Sequence, residues 1–494
     1  MNARERERLN RMFQPGAVAV YGAVRESYKF GHMVIQSLLK YGYPGSIYPI
    51  YPGGGEIFGL KSYQSLKDVI GPVDLARVCV PAQKVPEVVD ECLRHGVPGA
   101  EILSSGFAET GETGGVRLQE VLVRISKKGI RVLGPNCFGI HCPKGGLTLL
   151  PGFDFSTESG PVALISQSGG AAVDFSQEAR MAGFAVSKVV SFGNGCDLDA
   201  VDLLDYFSGD HDTRYIGAYM EGVRDGRRFA QILKEVTSKK AVLVWKGGLT
   251  PPGRKSALSH TGSLSGEAPV WKGLLAQTGA LAVDGLEEMV DTMTALVHLS
   301  HSGRNVAIAG AGGAIGVFSG DLAHRWGLEL PGFNTQTQGR LARLFPEPGS
   351  NIGNPLDTGT PVLPVEAIID MIEAILTNEG VDVLILVLLF HQLTVLIKAF
   401  AEMDGLPWQP LEAYLDTLLE AIASIRTRTG KNVVMVLVNR ANLPSNAELE
   451  GMYRILRLRC YAKGVPFYPT VERALRAVRN AWHVWKGAEK GGVV

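Results

Sequence analysis

The sequence predicts an α/β fold of three Rossmann-like or flavodoxin-like, doubly wound parallel-sheet domains in series. Three observations predict it. Short apolar runs alternate with amphipathic stretches along the chain, the pattern of strands buried on both faces between crossover helices. The glycines, 60 of 494 residues, cluster directly after those runs, at Gly22, Gly106, Gly169–Gly170 and Gly310–Gly313. There a strand turns into a helix and backbone can approach a ligand closely. The length alone corresponds to roughly three domains.

The first unit, residues 1–145, reads as strands at Ala17–Tyr21, Ser46–Ile50, Leu75–Val80, Ala100–Leu103 and Arg131–Leu133, with a helix over His32–Tyr41. A loop rich in Gly, Pro and polar residues, Pro143–Thr157, closes it. The second, 158–302, has strands at Val162–Ile165, Val186–Ser191, Tyr215–Tyr219 and Ala241–Trp245. The third, 303–494, has strands at Asn305–Ala309, Val381–Leu388 and Val433–Leu437, and a long helix near Trp408–Arg428.

Composition excludes several classes. Hydrophobic residues are 46%, charged residues 20%, and the formal net charge is zero, which argues against nucleic-acid binding. The longest apolar run, Val383–Phe390, is far short of the ~20 residues of a membrane span and reads as a buried strand. Residues Met1 to Arg11 are rich in Arg and Glu, unlike a secretory leader. Six scattered cysteines with no CxxC pair point to a reduced, cytoplasmic setting. No HxH or HExxH spacing appears, so no metal ligands are assigned.

Five motifs carry candidate chemistry. Gly22-Ala23, followed by Lys29 and Gly31, can hold a phosphate at a helix start; it is not GxGxxG, and an ordinary strand–helix turn has the same pattern. Ser166-Gln167-Ser168-Gly169-Gly170 follows a strand and precedes a helix, as an anion site would. Gly312-Gly313 opens the third unit similarly. No GxxxxGK[ST] occurs, so phosphate binding does not imply a bound nucleotide. His260, in Ser259-His260-Thr261-Gly262, reads as a loop histidine, either an exposed bystander or a nucleophile toward phosphoryl groups. Glu221 ends a strand, where ligands of parallel sheets bind. It can orient an imidazole by accepting its Nδ1 proton, or serve as a solvated helix cap.

Taken together these motifs resemble the nucleotide-diphosphate-forming acyl-CoA synthetases, the superfamily that includes succinyl-CoA synthetase. The resemblance spans nearly the whole chain. It is carried by Ile57–Tyr63, Ser105–Gly111, Gly134-Pro135-Asn136-Cys137-Phe138-Gly139, Ser166–Gly170, Gly193-Asn194 with Asp197, Glu221-Gly222, Ser259–Gly262, Gly312-Gly313, Asp321 and Asn354–Asp357. It implies an acid–CoA ligase in which His260 carries phosphate and Glu221 supports it. Helix starts at Ser168–Gly170 and Gly312–Gly313 would hold the phosphohistidine. It further implies CoA on Gly22, Val24, Arg25, Lys29, Gly31, Pro52, Val80, Pro81 and Ser105-Gly106-Phe107, and an acyl pocket near Asn136, Cys137, Phe138 and Asn194.

The chain departs from the family pattern at Val24, where Ser is usual, at Ser27, where Pro is common, and at Tyr51, where Asn usually precedes the Pro. No segment resembles the family's ATP-grasp domain. The resemblance therefore implies that this domain is a separate β-type ATP-grasp subunit, or lost; as a subunit it would handle ATP/ADP with Mg, in a heterotetramer, with a small organic acid as substrate. Two rival expectations are an acyl or carbamoyl transferase that keeps the scaffold without nucleotide chemistry, and a non-catalytic acyl-CoA sensor.

Overall fold

A computed structural model describes residues 1–149, 155–261, 266–300, 303–310, 312–345, 348–401, 411–439 and 444–491, excluding the side chains of 258–261, 398, 400–401, 445 and 488–491. The chain divides into two compact units. One is Met1–Arg180 with Phe184–Met289; the other is Met181–Gly183 with Val290–Gly492.

The first unit contains two large sheets and a two-stranded antiparallel hairpin, Glu56–Ile57 with Leu60–Lys61. The five-stranded sheet runs in the order Ser46–Ile50, Ala17–Tyr21, Leu75–Val78, Gly99–Ile102, Arg131–Leu133, and every pairing is parallel. Its central strands are fully buried, Arg77 and Glu101 included, as parallel strands covered on both faces are. Pro49 pairs at the edge strand, where a missing N–H costs no ladder bond.

The six-stranded sheet runs Leu281–Val283, Ala241–Lys246, Tyr215–Met220, Ser159–Ser166, Val186–Ser191, Gly139–His141. Its last strand is antiparallel to its neighbour, so this sheet is not purely parallel. Gly139 makes that join possible. Its φ is +85°, and a Cβ there would lie 2.7 Å from Glu101 Oε2 and 2.9 Å from Arg77 Nη2. Arg77 and Glu101 are register partners on adjacent strands of the first sheet. They form a fully buried ion pair, Nε to Oε2 2.7 Å, and Arg77 also donates to the Thr148 carbonyl at 3.2 Å. The two sheets thus share a polar seam that only glycine can approach.

His141 lies at the same join, fully buried between the rings of Tyr41 and Phe155, with centroids at 5.6 and 5.1 Å. Burial pushes its pKa down from 6.5 to about 4. The folded protein therefore keeps His141 neutral where the unfolded chain is protonated. Stability is complete above pH 6.5 and is lost as the pH falls toward 4, by ~3 kcal/mol at pH 4. In urea titrations, His141→Leu should flatten the decline of stability between pH 6.5 and 4 by that amount. An unchanged slope would overturn the assignment.

The second unit holds one five-stranded parallel sheet, in the order Leu356–Asp357, Val306–Gly310, Val383–Leu388, Asn432–Leu437, Phe467–Tyr468. All six residues of Val383–Leu388 are buried. The long helix runs over Leu411–Thr429; residues 408–410 of its expected start lie outside the described residues. Six strands among the described residues escaped the sequence reading: Glu56–Ile57, Leu60–Lys61, Gly139–His141, Leu281–Val283, Leu356–Asp357 and Phe467–Tyr468. Each has two or three residues, too few to show a period. No helix among the described residues is long and apolar enough to cross a membrane.

Candidate active site

Three adjacent strands of the six-stranded sheet bring the central residues together at their carboxyl ends. Ser159–Ser166 leads through Gln167 and Ser168 into the helix Gly169–Met181. The Ser166 hydroxyl donates to the Ser168 carbonyl at 2.6 Å, and Ser168 Oγ accepts from the Ala171 amide at 3.3 Å. The amides of Gly169 and Gly170 lead the helix at its positive end. Gly169 is required for packing, since a Cβ there would lie 2.7 Å from Cγ of the Phe138 ring.

Tyr215–Met220 delivers Glu221, whose side chain is buried, 5% exposed. Gln167 ties the two strand ends: its Oε1 accepts from the amides of Glu221 at 2.8 Å and Gly222 at 3.3 Å. Glu221 Oε1 accepts from the Tyr219 hydroxyl at 3.1 Å.

Ala241–Lys246 ends in Lys246, which the sequence reading passed over. Its Nζ donates to the Glu221 carbonyl at 2.7 Å and lies 5.0 Å from the Trp271 ring centroid. Burial lowers its pKa to about 8, opposed by Glu221. A lysine closing a buried apolar strand is a signal that the sequence carries.

After this strand the chain forms the helix Pro251–Thr261. His260 is therefore in the last turn of a helix, not on the expected loop. Pro251 and Pro252 suit a first helical turn, and Thr250 Oγ1 accepts from the Gly253 amide at 3.2 Å. The helix runs beside the turn Ala108–Thr110 of the first sheet. The side chains of Ser259, His260 and Thr261, and residue Gly262 altogether, lie outside the described residues, and with them the expected contact between Glu221 and His260.

The loop after Val186–Ser191 is stitched onto the edge of the first sheet. The amides of Asn194, Cys196 and Leu198 donate to the carbonyls of Pro135, Gly134 and Val132 at 3.0, 2.9 and 3.0 Å. Gly193 has φ +53°, and a Cβ there would meet the Pro135 and Asn136 carbonyl oxygens at 2.3 Å. Asp197 accepts from Arg131 Nε and the Val132 amide at 2.9 and 2.8 Å.

Along this seam lies a cleft of 500 Å³, lined by Gln167, Phe192, Asn194, Val201, Gly222 and Arg224 among others. Of the four expected acyl-pocket residues, Asn194 lines it. Cys137 does not: it is buried, with Sγ on the Ile102 carbonyl at 3.3 Å, and burial raises its pKa. Asn136 holds a left-handed turn, φ +57°, and Phe138 covers Gly169. The reading missed Glu109 and Gln119. Asn194 Nδ2 donates to Glu109 Oε2 at 2.6 Å and Gln119 Oε1 at 3.0 Å.

The expected CoA residues fall into two groups. Arg25, Lys29, Pro52, Pro81 and Ser105 are exposed; Val24 and Val80 are half-buried. Gly22, φ +79°, and Gly31 let loop and helix pack together, since a Gly31 Cβ would lie 1.9 Å from the Gly22 carbonyl oxygen. The Phe107 side chain is fully buried in the first sheet's core, leaving only its main chain for a ligand. The Gly106 and Phe107 amides already donate to Glu109 Oε1, at 2.6 and 3.1 Å.

In the second unit, Gly312 and Gly313 open the helix Gly313–Arg325. The Gly312 amide donates to Asp357 Oδ1 at 3.0 Å, as does that of Gly359 at 2.9 Å. An internal carboxylate therefore takes an amide that the sequence reading gave to phosphate. No cluster of three or more His, Cys, Asp or Glu able to hold a metal occurs among the described residues.

Residues 16–143 match the family described as CoA binding domain, and 159–296 the one described as Succinyl-CoA ligase like flavodoxin domain. The chain is 34% identical to acetate–CoA ligase (ADP-forming) I subunit alpha of Pyrococcus furiosus, over 98% of this chain and 99% of that one. It is 37% identical to the acetate–CoA ligase (ADP-forming) of Methanocaldococcus jannaschii, over 69% of this chain but 48% of that longer one. The solved Ca. Korarchaeum cryptofilum dinucleotide forming Acetyl-coenzyme A synthetase 1, in complex with phosphate and ADP, superposes with a TM-score of 0.81. Its identity is 31%, over 98% of this chain and 99% of that one.

Proposed function

The chain belongs to the family of ADP-forming acyl-CoA synthetase α subunits, and on that premise we propose that it binds CoA and carries phosphate on His260 in the reaction acid + CoA + ATP ⇌ acyl-CoA + ADP + phosphate. One observation supports this most. Adjacent parallel strands lead into the start of the helix Gly169–Met181, a buried carboxylate and the helix bearing His260.

The chemistry follows from those groups. The imidazole takes the γ-phosphoryl of ATP, releasing ADP, and passes it to the acid's carboxylate as an acyl phosphate. The CoA thiol, losing its proton, attacks the acyl carbon, and phosphate leaves. The amides at Gly169–Gly170 meet the phosphoryl oxygens with a positive dipole end. Glu221 accepts the Nδ1 proton, leaving Nε2 to carry phosphate. Its carboxylate is held in place by Tyr219, and its main chain by Gln167 and Lys246. CoA is assigned to the first sheet. There the exposed cations Arg25 and Lys29 precede the helix Phe30–Tyr41 and fit a polyanionic ligand. Gly22, Pro52, Pro81 and Ser105 fall at the same carboxyl edge.

The nucleotide step, with its Mg, is assigned to a second, ATP-grasp polypeptide in a heterotetramer. This chain spans nearly all of a relative named subunit alpha, and half of a longer ligase. The purified chain should bind CoA by calorimetry yet release no ADP from ATP with any acid. Adding the partner should restore release. ADP release by the lone chain would overturn the two-chain assignment, and absence of CoA binding would overturn the reading itself.

A further inference from the structure

We propose that Glu109 is a positioning residue for the thioester-forming half of the reaction, fixing at once the CoA-side loop of the first sheet and the amide of Asn194 on the second. This rests on the acid–CoA ligase reading above. In that half the CoA thiol attacks the acyl carbon and phosphate leaves. Groups assigned to different sheets must then meet in a defined geometry.

Glu109 sits in the turn Ala108–Thr110, ahead of the helix Thr113–Ser126. Both oxygens of its carboxylate are engaged. Oε1 accepts from the amides of Gly106 at 2.6 Å and Phe107 at 3.1 Å. Oε2 accepts from Asn194 Nδ2 at 2.6 Å and from the Phe107 amide at 3.2 Å. Gly106 and Phe107 lie in the loop after Gly99–Ile102, and Asn194 in the loop after Val186–Ser191. One half-buried carboxylate therefore clasps strand ends of both sheets, through charge-assisted bonds stronger than neutral ones. Among the described residues, none of its hydrogen bonds goes to the helix bearing His260.

The clasp dictates how Asn194 faces a ligand. Asn194 Nδ2 has two hydrogens and two acceptors, Glu109 Oε2 and, at 3.0 Å, Gln119 Oε1. A carboxylate only accepts, so the carboxamide cannot turn over without setting oxygen against oxygen. Asn194 Oδ1 is left buried and without a hydrogen-bond partner, on a residue that lines the cleft at the seam. A buried acceptor is costly until a donor meets it. The substrate carboxylate and the acyl phosphate offer acceptors. CoA offers donors, in the N–H groups of its pantetheine arm and its thiol. The unpaired Oδ1 thus matches the CoA arm, and Glu109 holds it ready.

The test is a donor–acceptor exchange. In Glu109→Gln the side-chain NH₂ opposes another donor whichever way it turns. In Asn194→Asp two carboxylates oppose each other. In E109Q/N194D the new glutamine donates to the new aspartate. The bond returns with its direction reversed, the net charge is unchanged, and an acceptor still faces the ligand. The full chain is assayed with the proposed ATP-grasp partner, using the acid it turns over fastest among acetate, 3-methylbutanoate, phenylacetate and succinate. In each single variant kcat/KM for CoA should fall ~10–100-fold, the scale of a small misplacement of a reacting group. The double variant should recover most of that loss, as coupled neighbours do. Phosphate label from γ-labelled ATP should be taken up at the unaltered rate in all three, because the bonds that hold Ser168 and Glu221 do not involve Glu109. An unaltered kcat/KM for CoA in E109Q, a double variant no better than the worse single one, or label lost together with thioester formation would overturn the positioning role alone. Absence of label, of CoA binding or of turnover in the unaltered chain would instead overturn the ligase reading.

Discussion

His260→Asn should abolish ATP-dependent thioester formation in the chain assayed with the proposed ATP-grasp partner, by as much as ~10⁶-fold, the scale on which enzymes lose turnover when a nucleophile is removed. CoA affinity should not change, because the residues assigned to CoA belong to a different sheet. The decisive measurement is the label. With γ-labelled ATP and partner, the unaltered chain should take up phosphate that acid releases, since a phosphorus–nitrogen bond hydrolyses once its nitrogen is protonated. Label that resists acid, or that persists in H260N, sinks the assignment. The helical setting of His260 bears on the proposed step. A residue in the last turn of Pro251–Thr261 can reach two sites in succession if that turn frays, because terminal turns lack part of the i→i−4 ladder.

Glu221→Gln should lower turnover by ~10²–10⁴-fold, the span of a positioned acid–base group, with CoA affinity little changed. The replacement keeps the shape of the side chain and its bond to Tyr219. A glutamine Oε1 still accepts from the Tyr219 hydroxyl, and the main-chain bonds to Gln167 and Lys246 do not involve the side chain. What is removed is the negative charge proposed to hold the Nδ1 proton of His260. The phosphorylated state should accumulate more slowly in E221Q than in the unaltered chain. If turnover and phosphorylation both match the unaltered chain, Glu221 is a structural residue.

Much of this architecture was legible in the sequence because parallel strands are buried on both faces. Ala17–Tyr21, Ser46–Ile50, Arg131–Leu133 and Val186–Ser191 were read at the ends the structure has. Others, such as Leu75–Val78 and Gly99–Ile102, differ by a residue or two at an end. An apolar run bounded by Gly or Pro needs no distant partner to be recognised. The helix starts at Gly169 and Gly313 were legible for the same reason, being local turns with local chemistry. The helix at Pro251–Thr261 was not. Its Ser-His-Thr-Gly end reads as loop, and its start depends on the Thr250 cap and two prolines that suit either state.

What the sequence determined by itself is therefore the succession of strand–turn–helix units and the residue types at each strand's carboxyl end, Ser166 through Gly170 and Glu221 among them. Only the tertiary structure decided which of these meet. The side chains of Phe107 and Cys137 are core because residues distant in sequence close over them. Glu109 and Asn194, 85 residues apart, become a bonded pair only when the loop at 192–198 adds to the first sheet's edge. Lys246 gains its place by ending the strand next to the one that delivers Glu221. Each is a non-local juxtaposition, set by sheet order and register. Hydrophobic period carries no information about those, since it reports which face is buried and not what it is buried against.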